Sequence, residues 1–109
     1  MSSIRVLEYL HASGQAPFRR WFDGLDATAA ARVGAYLYRL EHGNFSRVEG
    51  VGGGVFELKV DFGPGYRVYF GKDGEAVVIL LGGSTKKSQS AAIGRAQEAW
   101  LDYKRRKRS

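Results

Sequence analysis

Three apolar segments between residues 55 and 83 constrain the fold more than any other part of the sequence. They are separated by two short glycine-containing connections, "FGPG" and "GKDG". Asp-Gly favours a tight hairpin turn, and a proline between two glycines suits the other connection. The pattern therefore predicts an antiparallel meander of three strands, "VFELKVDF", "YRVYFG" and "AVVILLGG".

The alternation of side chains along these strands predicts which residues share a face of the sheet. One face is apolar and consists of Phe56, Leu58, Val60, Phe62, Tyr66, Val68 and Phe70. We expect helices to cover that face and the other to stay open to solvent. The open face would carry Glu57, Lys59, Arg67 and Tyr69. The third strand then brings Lys86 and Lys87 close to it.

The segment before the meander predicts two helices that form a hairpin. Pro17 stands in the first turn of a short helix that Gly24 ends. Asp26 is a suitable N-cap for a second helix, which stops at Gly43. A short edge strand is predicted over residues 4–10.

The remaining segments complete an α+β domain. The chain is predicted to be a loop up to about Gly54 and helical from Gln89 onward. The predicted fold is a helical hairpin packed on a small, mainly antiparallel sheet of about four strands, with a C-terminal helix. A length of 109 residues predicts a single domain over residues 1–109, with a basic tail from about residue 104.

The composition excludes several classes of protein. Cysteine is absent, so there is no disulfide framework and no thiolate metal site. The first residues do not form a secretory signal, and no apolar stretch approaches the roughly 20 residues that span a bilayer. We expect a cytoplasmic protein that has no membrane partner and needs no cofactor or metal.

The net charge of +6 is concentrated near the C-terminus. Residues 86–108 contain eight lysines and arginines against two acids, which equals the excess of the whole chain. Such a local excess is typical of a surface that binds a polyanion, including contacts from Arg105 and Arg106. A solvated basic tail is the simpler alternative.

The residues on the predicted open face suit chemistry on a phosphodiester. A carboxylate can take a proton from an attacking hydroxyl, while cations hold the phosphate and stabilise the transition state. The alternative is that Glu57 forms cross-strand ion pairs with Lys59 or Arg67, each worth about 0.2–1 kcal/mol. Residue types alone do not separate these two interpretations.

Three stretches of the sequence resemble a known family, and this resemblance implies a more specific function. The stretches "GNFSRVEGVGGGVFELKVDFGPGYRVYF", "VVILLGGSTKKSQ" and "AWLDYKRRK" resemble the addiction-module killer proteins, the phage-derived HigB-like branch of the RelE/ParE toxin superfamily. The similarity runs from Pro17 to nearly the end of the chain. It implies a RelE-like fold and the toxin of a type II toxin-antitoxin system, a ribosome-dependent, metal-independent endoribonuclease that cleaves mRNA and arrests translation. The implied partners are mRNA, the ribosome and a cognate antitoxin, a helix-turn-helix protein of the HigA type.

The resemblance also implies roles for individual residues. Arg67 matches the strand arginine that stabilises the phosphate, Lys59 the basic residue of the preceding strand, and Glu57 a general base. Lys86 and Lys87 match the basic pair after the last strand. The implied catalytic residues are thus Arg67, Glu57, Lys59, Lys86 and Lys87, and the substrate-binding residues are Tyr69, Gln89, Arg105 and Arg106. The C-terminal segment has no histidine of the kind that several members use, so no general acid is assigned.

Two other functions fit the same sequence. One is a ParE-like poison of DNA gyrase without nuclease activity, which would act through its basic C-terminal helix. The other is an inactive nucleic-acid-binding module. His11 and His42 are interpreted as structural and Trp21 and Trp100 as core residues, because nothing pairs the histidines with a nucleophile or a second ligand.

Overall fold

The computed structural model describes residues 3–108, which form a five-stranded sheet and three α-helices. The strand order is β1-β5-β4-β3-β2, with β1 parallel to β5 and the other neighbours antiparallel. The elements are β1 (Arg5–Glu8), α1 (Pro17–Asp23), α2 (Ala27–Glu41), β2 (Val48–Gly52), β3 (Val55–Val60), β4 (Tyr66–Lys72), β5 (Val77–Thr85), a 3-10 turn (Lys86–Ser88) and α3 (Gln89–Arg108). Of the helices within residues 3–108, none is long and apolar enough to cross a membrane.

The predicted three-stranded meander is confirmed as β3, β4 and β5. Leu58 lies opposite Val68, which pairs apolar with apolar as the alternation predicted. The turn between β3 and β4 requires glycine on both sides of its proline, because Gly63 and Gly65 have φ angles of 56° and 81°. The amide of Gly65 donates to the carbonyl oxygen of Phe62 at 2.9 Å and closes the turn.

The segment predicted to be a loop up to about Gly54 instead contains the edge strand β2. This strand pairs antiparallel with β3, with Glu49 opposite Glu57, and its register shifts between Gly50 and Gly52. An edge strand bonds to a neighbour on one side only and tolerates glycine, so the glycine-rich composition concealed it. The sheet therefore has five strands rather than about four.

The two predicted helices, α1 and α2, cover one face of the sheet. α1 begins at Pro17, and the Asp26 carboxylate caps α2 by accepting a hydrogen bond from the amide of Ala29 at 2.8 Å. Trp21 rests directly on β5, since a Cβ added at Gly83 would lie 2.2 Å from its ring. The buried core of this layer includes Phe18, Ala29, Val33, Leu40, Leu58, Val60, Val68, Phe70, Val78 and Leu80.

The opposite face, which the sequence analysis expected to be open, is covered by α3. Trp100 packs so closely on β4 that a Cβ at Gly71 would lie 2.4 Å from its ring. The buried core of this second layer comprises Tyr9, Val55, Tyr69, Ile79, Leu81, Ala92, Ala96, Ala99 and Trp100. β5 is apolar on both faces, so it needs a cover on each side. The expectation of an open face was wrong because the apolar stripe of α3 supplies that second cover.

Hydrogen bonds from polar side chains fix the C-terminal half of α3 to the sheet. The Tyr103 hydroxyl donates to Asp73 Oδ2 at 2.6 Å, and the Tyr9 hydroxyl donates to Asp102 Oδ2 at 2.5 Å. Lys107 forms an ion pair with the same carboxylate of Asp73. The basic segment from residue 104 is thus the end of a helix that continues to Arg108.

Candidate functional site

Arg67 lies near the middle of the sheet, on the face that α3 covers. On β4 it stands between Lys59 of β3 and Ser84 of β5, and only 7% of its surface is exposed. Its Nη1 donates to the carbonyl oxygen of Tyr66 at 3.2 Å, and its Nε lies 3.6 Å from Glu57 Oε1. Within residues 3–108 this buried Nε has no hydrogen-bond partner. Burying an N–H group without an acceptor costs free energy, so the unsatisfied Nε of Arg67 needs an explanation.

Glu57 holds Arg67 and the start of α3 together. Glu57 as a residue is 3% exposed, and Gln89, the first residue of α3, donates from Nε2 to Glu57 Oε1 at 2.8 Å. The structure therefore brings together three of the predicted site residues. It also removes Glu57 from solvent, so its carboxylate is placed to orient Arg67 rather than to meet an incoming hydroxyl.

A cavity of about 390 Å³ opens beside Arg67 at the turn between β3 and β4. Its lining is Asp61, Phe62, Gly63, Pro64, Gly65, Arg67 and Lys86. The backbone amide of Lys86 donates to the carbonyl oxygen of Gly65 at 2.9 Å, so the turn and the start of the 3-10 helix are fixed to each other. The cavity thus joins a buried guanidinium to an exposed ammonium, an arrangement that suits a phosphate group.

The other two predicted lysines occupy different places. Lys59 Nζ lies 2.5 Å from Glu49 Oε1 on β2, and this hydrogen bond, with the charges of Lys59 and Arg67, holds the pKa of Glu49 below its usual range. Lys87 is exposed and is not among the residues that line the cavity beside Arg67. Of the basic pair after the last strand, the structure therefore places Lys86 at the cavity.

Tyr69, which was expected on an open face and among the substrate-binding residues, is buried instead. Tyr69 is 0% exposed, and its hydroxyl shares a hydrogen bond with Ser84 Oγ at 2.9 Å. Burial is the main cause that raises the pKa of this tyrosine. The alternation placed the side chain on the correct face, but α3 fills the space that a base would need.

Arg105 and Arg106 lie at the other end of α3 from Gln89. At a rise of 1.5 Å per residue, about 25 Å of helix separates them from Gln89. The guanidinium of Arg106 donates to Asp102 Oδ2 at 3.0 Å and lies 5.3 Å from the centre of the Tyr9 ring. Arg105 Nη2 lies 3.6 Å from Asp102 Oδ1. These arginines are therefore separate from the cluster around Arg67.

Two carboxylates near the site were not among the predicted site residues. Asp61 lines the cavity and is exposed, where it forms an ion pair with Arg47. Glu49 pairs with Lys59 from the strand that the sequence analysis missed. Asp61 was detectable, since the alternation of β3 places it on the face of Glu57; Glu49 was not, because its strand was not predicted. Among residues 3–108, no group of three or more His, Cys, Asp or Glu side chains is placed to hold a metal ion.

The fold is that of a small α+β domain with a cavity lined by Arg67 and Lys86, which is consistent with a toxin-like module. The family model described as phage derived protein Gp49-like matches residues 20–100, so the chain belongs to this phage-derived family, which lies within the RelE-like toxin group. An uncharacterized protein of Haemophilus influenzae is 40% identical over 81 residues, which cover 73% of this chain and 82% of that relative.

Proposed function

We propose that this chain is the toxin of a type II toxin-antitoxin pair and acts as a ribosome-dependent, metal-independent endoribonuclease on mRNA. The observation that carries the proposal is the cavity beside Arg67. There, the largely buried Arg67 and the exposed Lys86 line the same space. A phosphate group in this cavity would be held by two positive charges.

The proposed reaction is attack of an RNA 2′-hydroxyl on its adjacent phosphate. The O2′–P bond forms, the P–O5′ bond breaks, and a 2′,3′-cyclic phosphate and a 5′-hydroxyl result. A base removes the 2′-hydroxyl proton, and an acid delivers a proton to O5′. Arg67 and Lys86 stabilise the additional negative charge in the transition state, when the phosphate is most strongly charged.

The burial of Glu57 changes the role proposed for it. A general base must lie within hydrogen-bond reach of the proton that it takes. Glu57 is covered by Gln89 and faces Arg67, so we assign it to positioning that guanidinium. Asp61 is the exposed carboxylate in the lining of the cavity, and we assign the base to it.

Adjacent lysines offer a matched test of the cavity. We expect Lys86→Ala to reduce cleavage at least tenfold and Lys87→Ala to retain it, because Lys86 lines the cavity and both side chains are exposed. The measurement is mapping of new RNA 5′ ends in translated messages after induction. Equal cleavage by the two variants would remove Lys86 from the site. Intact messages with the unaltered protein would refute the nuclease itself.

Inhibition of DNA gyrase is the second candidate, and one observation favours it. In this interpretation the sheet face that carries Arg67 has no chemical role. The buried contact of Glu57 with Arg67 is then a purely structural ion pair. If messages stay intact while induction damages DNA, the gyrase poison is supported; if induction is harmless, the chain is an inactive binding module.

The proposed antitoxin, a helix-turn-helix protein of the HigA type, is tested separately by co-expressing the protein encoded next to this gene and measuring growth.

A further inference from the structure

The outer edge of β5 is paired along only part of its length. β1 pairs with β5 only from Val77 to Leu80, and the amide of Tyr9 makes the final bond to the carbonyl oxygen of Leu80. The chain then leaves the sheet for the connection to α1. In the part of the chain that the structure describes, residues 3–108, no strand pairs with this side of residues 81–85. An exposed strand edge presents N–H and C=O groups to another extended chain.

This edge borders a groove of about 650 Å³ between α1 and α3. The apolar part of the lining includes Trp21, Leu25, Leu81, Ala92, Ala96 and Ala99. The alanines give α3 a shallow surface here, and a Cβ added at Gly82 would meet no atom within 4 Å. The groove therefore has room for the side chains of a strand lying beside β5.

Two arginines give the groove its charge. Arg20 of α1 and Arg95 of α3 both line it, one from each wall. Counting residues 3–108, no acid forms an ion pair with either of them. Carboxylates on an incoming segment would complement these two charges.

We propose that this groove binds an extended, acidic segment of a partner protein, which adds to the sheet as a sixth strand along residues 81–85. The strand edge supplies main-chain hydrogen bonds, the apolar walls take alternate side chains, and the arginines contact carboxylates. Five residues of strand correspond to about 17 Å of contact. The apolar walls and the strand edge fit a peptide better than a nucleic acid. The inference goes beyond the proposed nuclease, because it uses neither Arg67 nor the cavity beside it.

The probe for this surface is a capped hexapeptide that alternates glutamate and valine. Its control is the same peptide with lysine in place of glutamate. In a titration of the ¹⁵N-labelled full chain followed by NMR, we expect the acidic peptide to shift the amide signals of residues 82–85 and to slow their hydrogen exchange. The basic peptide is expected to shift none of them. Absence of these shifts at millimolar acidic peptide, or equal shifts with the basic peptide, overturns the proposal.

Charge reversal tests the two arginines. We expect the double variant Arg20→Glu with Arg95→Glu to bind the acidic peptide about tenfold more weakly. Arg108→Glu makes the same kind of change at the far end of α3, and we expect it to bind as the unaltered chain does. If the double variant does not fold, Arg95→Gln replaces it, and we expect this milder variant to lose less affinity for the acidic peptide.

If something other than an acidic peptide binds in this groove, the NMR titrations should give different results. If hexauridylate shifts the same amide signals and the acidic peptide does not, the groove binds nucleic acid and the proposal fails. If the same signals shift with protein concentration alone, in parallel with dimerisation measured by sedimentation, a second copy of the chain occupies the edge and the proposal fails.

Discussion

Two polar clusters connect α3 to the sheet, one at each end of the helix, and they differ in how completely their hydrogen bonds are made. The N-terminal cluster comprises Glu57, Arg67 and Gln89, and the C-terminal cluster comprises Asp73, Tyr103 and Lys107. In the C-terminal cluster both oxygens of Asp73 accept bonds and the charges are partly exposed. Such a cluster needs nothing further and is explained by its contribution to holding the helix.

The N-terminal cluster is buried and incomplete. Glu57 and Arg67 are 3% and 7% exposed, and the Nε of Arg67 is unsatisfied by any atom of residues 3–108. A buried ion pair contributes little net stability because desolvation opposes the attraction of the charges. The comparison indicates that the C-terminal cluster serves the fold, whereas the N-terminal cluster contains a donor, the Nε of Arg67, that no atom of residues 3–108 accepts from.

The largest expected effect comes from removing one charge of the buried pair. Arg67→Gln leaves Glu57 buried without its cation, so we expect a loss of about 3–5 kcal/mol in the free energy of unfolding, measured with urea. Adding Glu57→Gln should recover most of this loss, because neither charge is then buried alone. Cleavage of RNA should remain absent in the double variant. A loss below about 1 kcal/mol for Arg67→Gln would show that the pair is not desolvated as the structure indicates.

The sequence predicted what depends on neighbouring residues. The meander and its register follow from alternation and turn chemistry, so Lys59 and Arg67 could be placed on adjacent strands from local patterns. The third strand continues past the predicted end at Gly83 to Thr85, which brings Ser84 beside Arg67. Pro17 in the first turn of α1 and the Asp26 cap of α2 were predictable for the same reason. The placement of Glu57, Lys59 and Arg67 on one face of the sheet therefore required no long-range information.

Burial of the site depended on long-range packing and was not predictable from strand patterns. Whether the face of Arg67 is open depends on where α3 docks, since Trp100 sits on Gly71 and Gln89 on Glu57. Periodicity identified the apolar side of α3 but not the surface that it would contact. The same docking buried Tyr69 and removed it from the candidate substrate contacts.

A smaller effect is expected in the C-terminal cluster. Tyr103→Phe removes one hydrogen bond to Asp73 while Lys107 still pairs with that carboxylate, so we expect a loss of about 0.5–1.5 kcal/mol in unfolding free energy. Tyr38→Phe is a matched control, because Tyr38 is a largely exposed tyrosine of α2, and it should change stability by less than about 0.5 kcal/mol. RNA cleavage should be unchanged in both variants. Loss of cleavage in Tyr103→Phe at full stability would contradict a purely structural C-terminal cluster.

The smallest effect is a pH dependence confined to the C-terminal cluster. Hydrogen bonds from Lys107 and Tyr103 hold the pKa of Asp73 below its usual range, and the bond to Asp73 raises the pKa of Tyr103 to about 12. A lowered carboxyl pKa adds stability that is present above the ordinary value of about 3.9 and is lost as the pH falls through the folded value. A raised tyrosine pKa adds stability that is present below about 10 and is lost as the pH rises through about 12.

The stability difference between the unaltered chain and Asp73→Asn should therefore be constant from about pH 5 to 9. It should shrink below about pH 4 and above about pH 10, as urea midpoints across the pH range would show. Absorbance of ionised tyrosine should also report one group that titrates later in the unaltered chain than in Asp73→Asn. A difference as large at pH 3 as at pH 5 would mean that the pKa of Asp73 is not lowered in the folded chain, so the C-terminal cluster would hold α3 without the charge of that carboxylate.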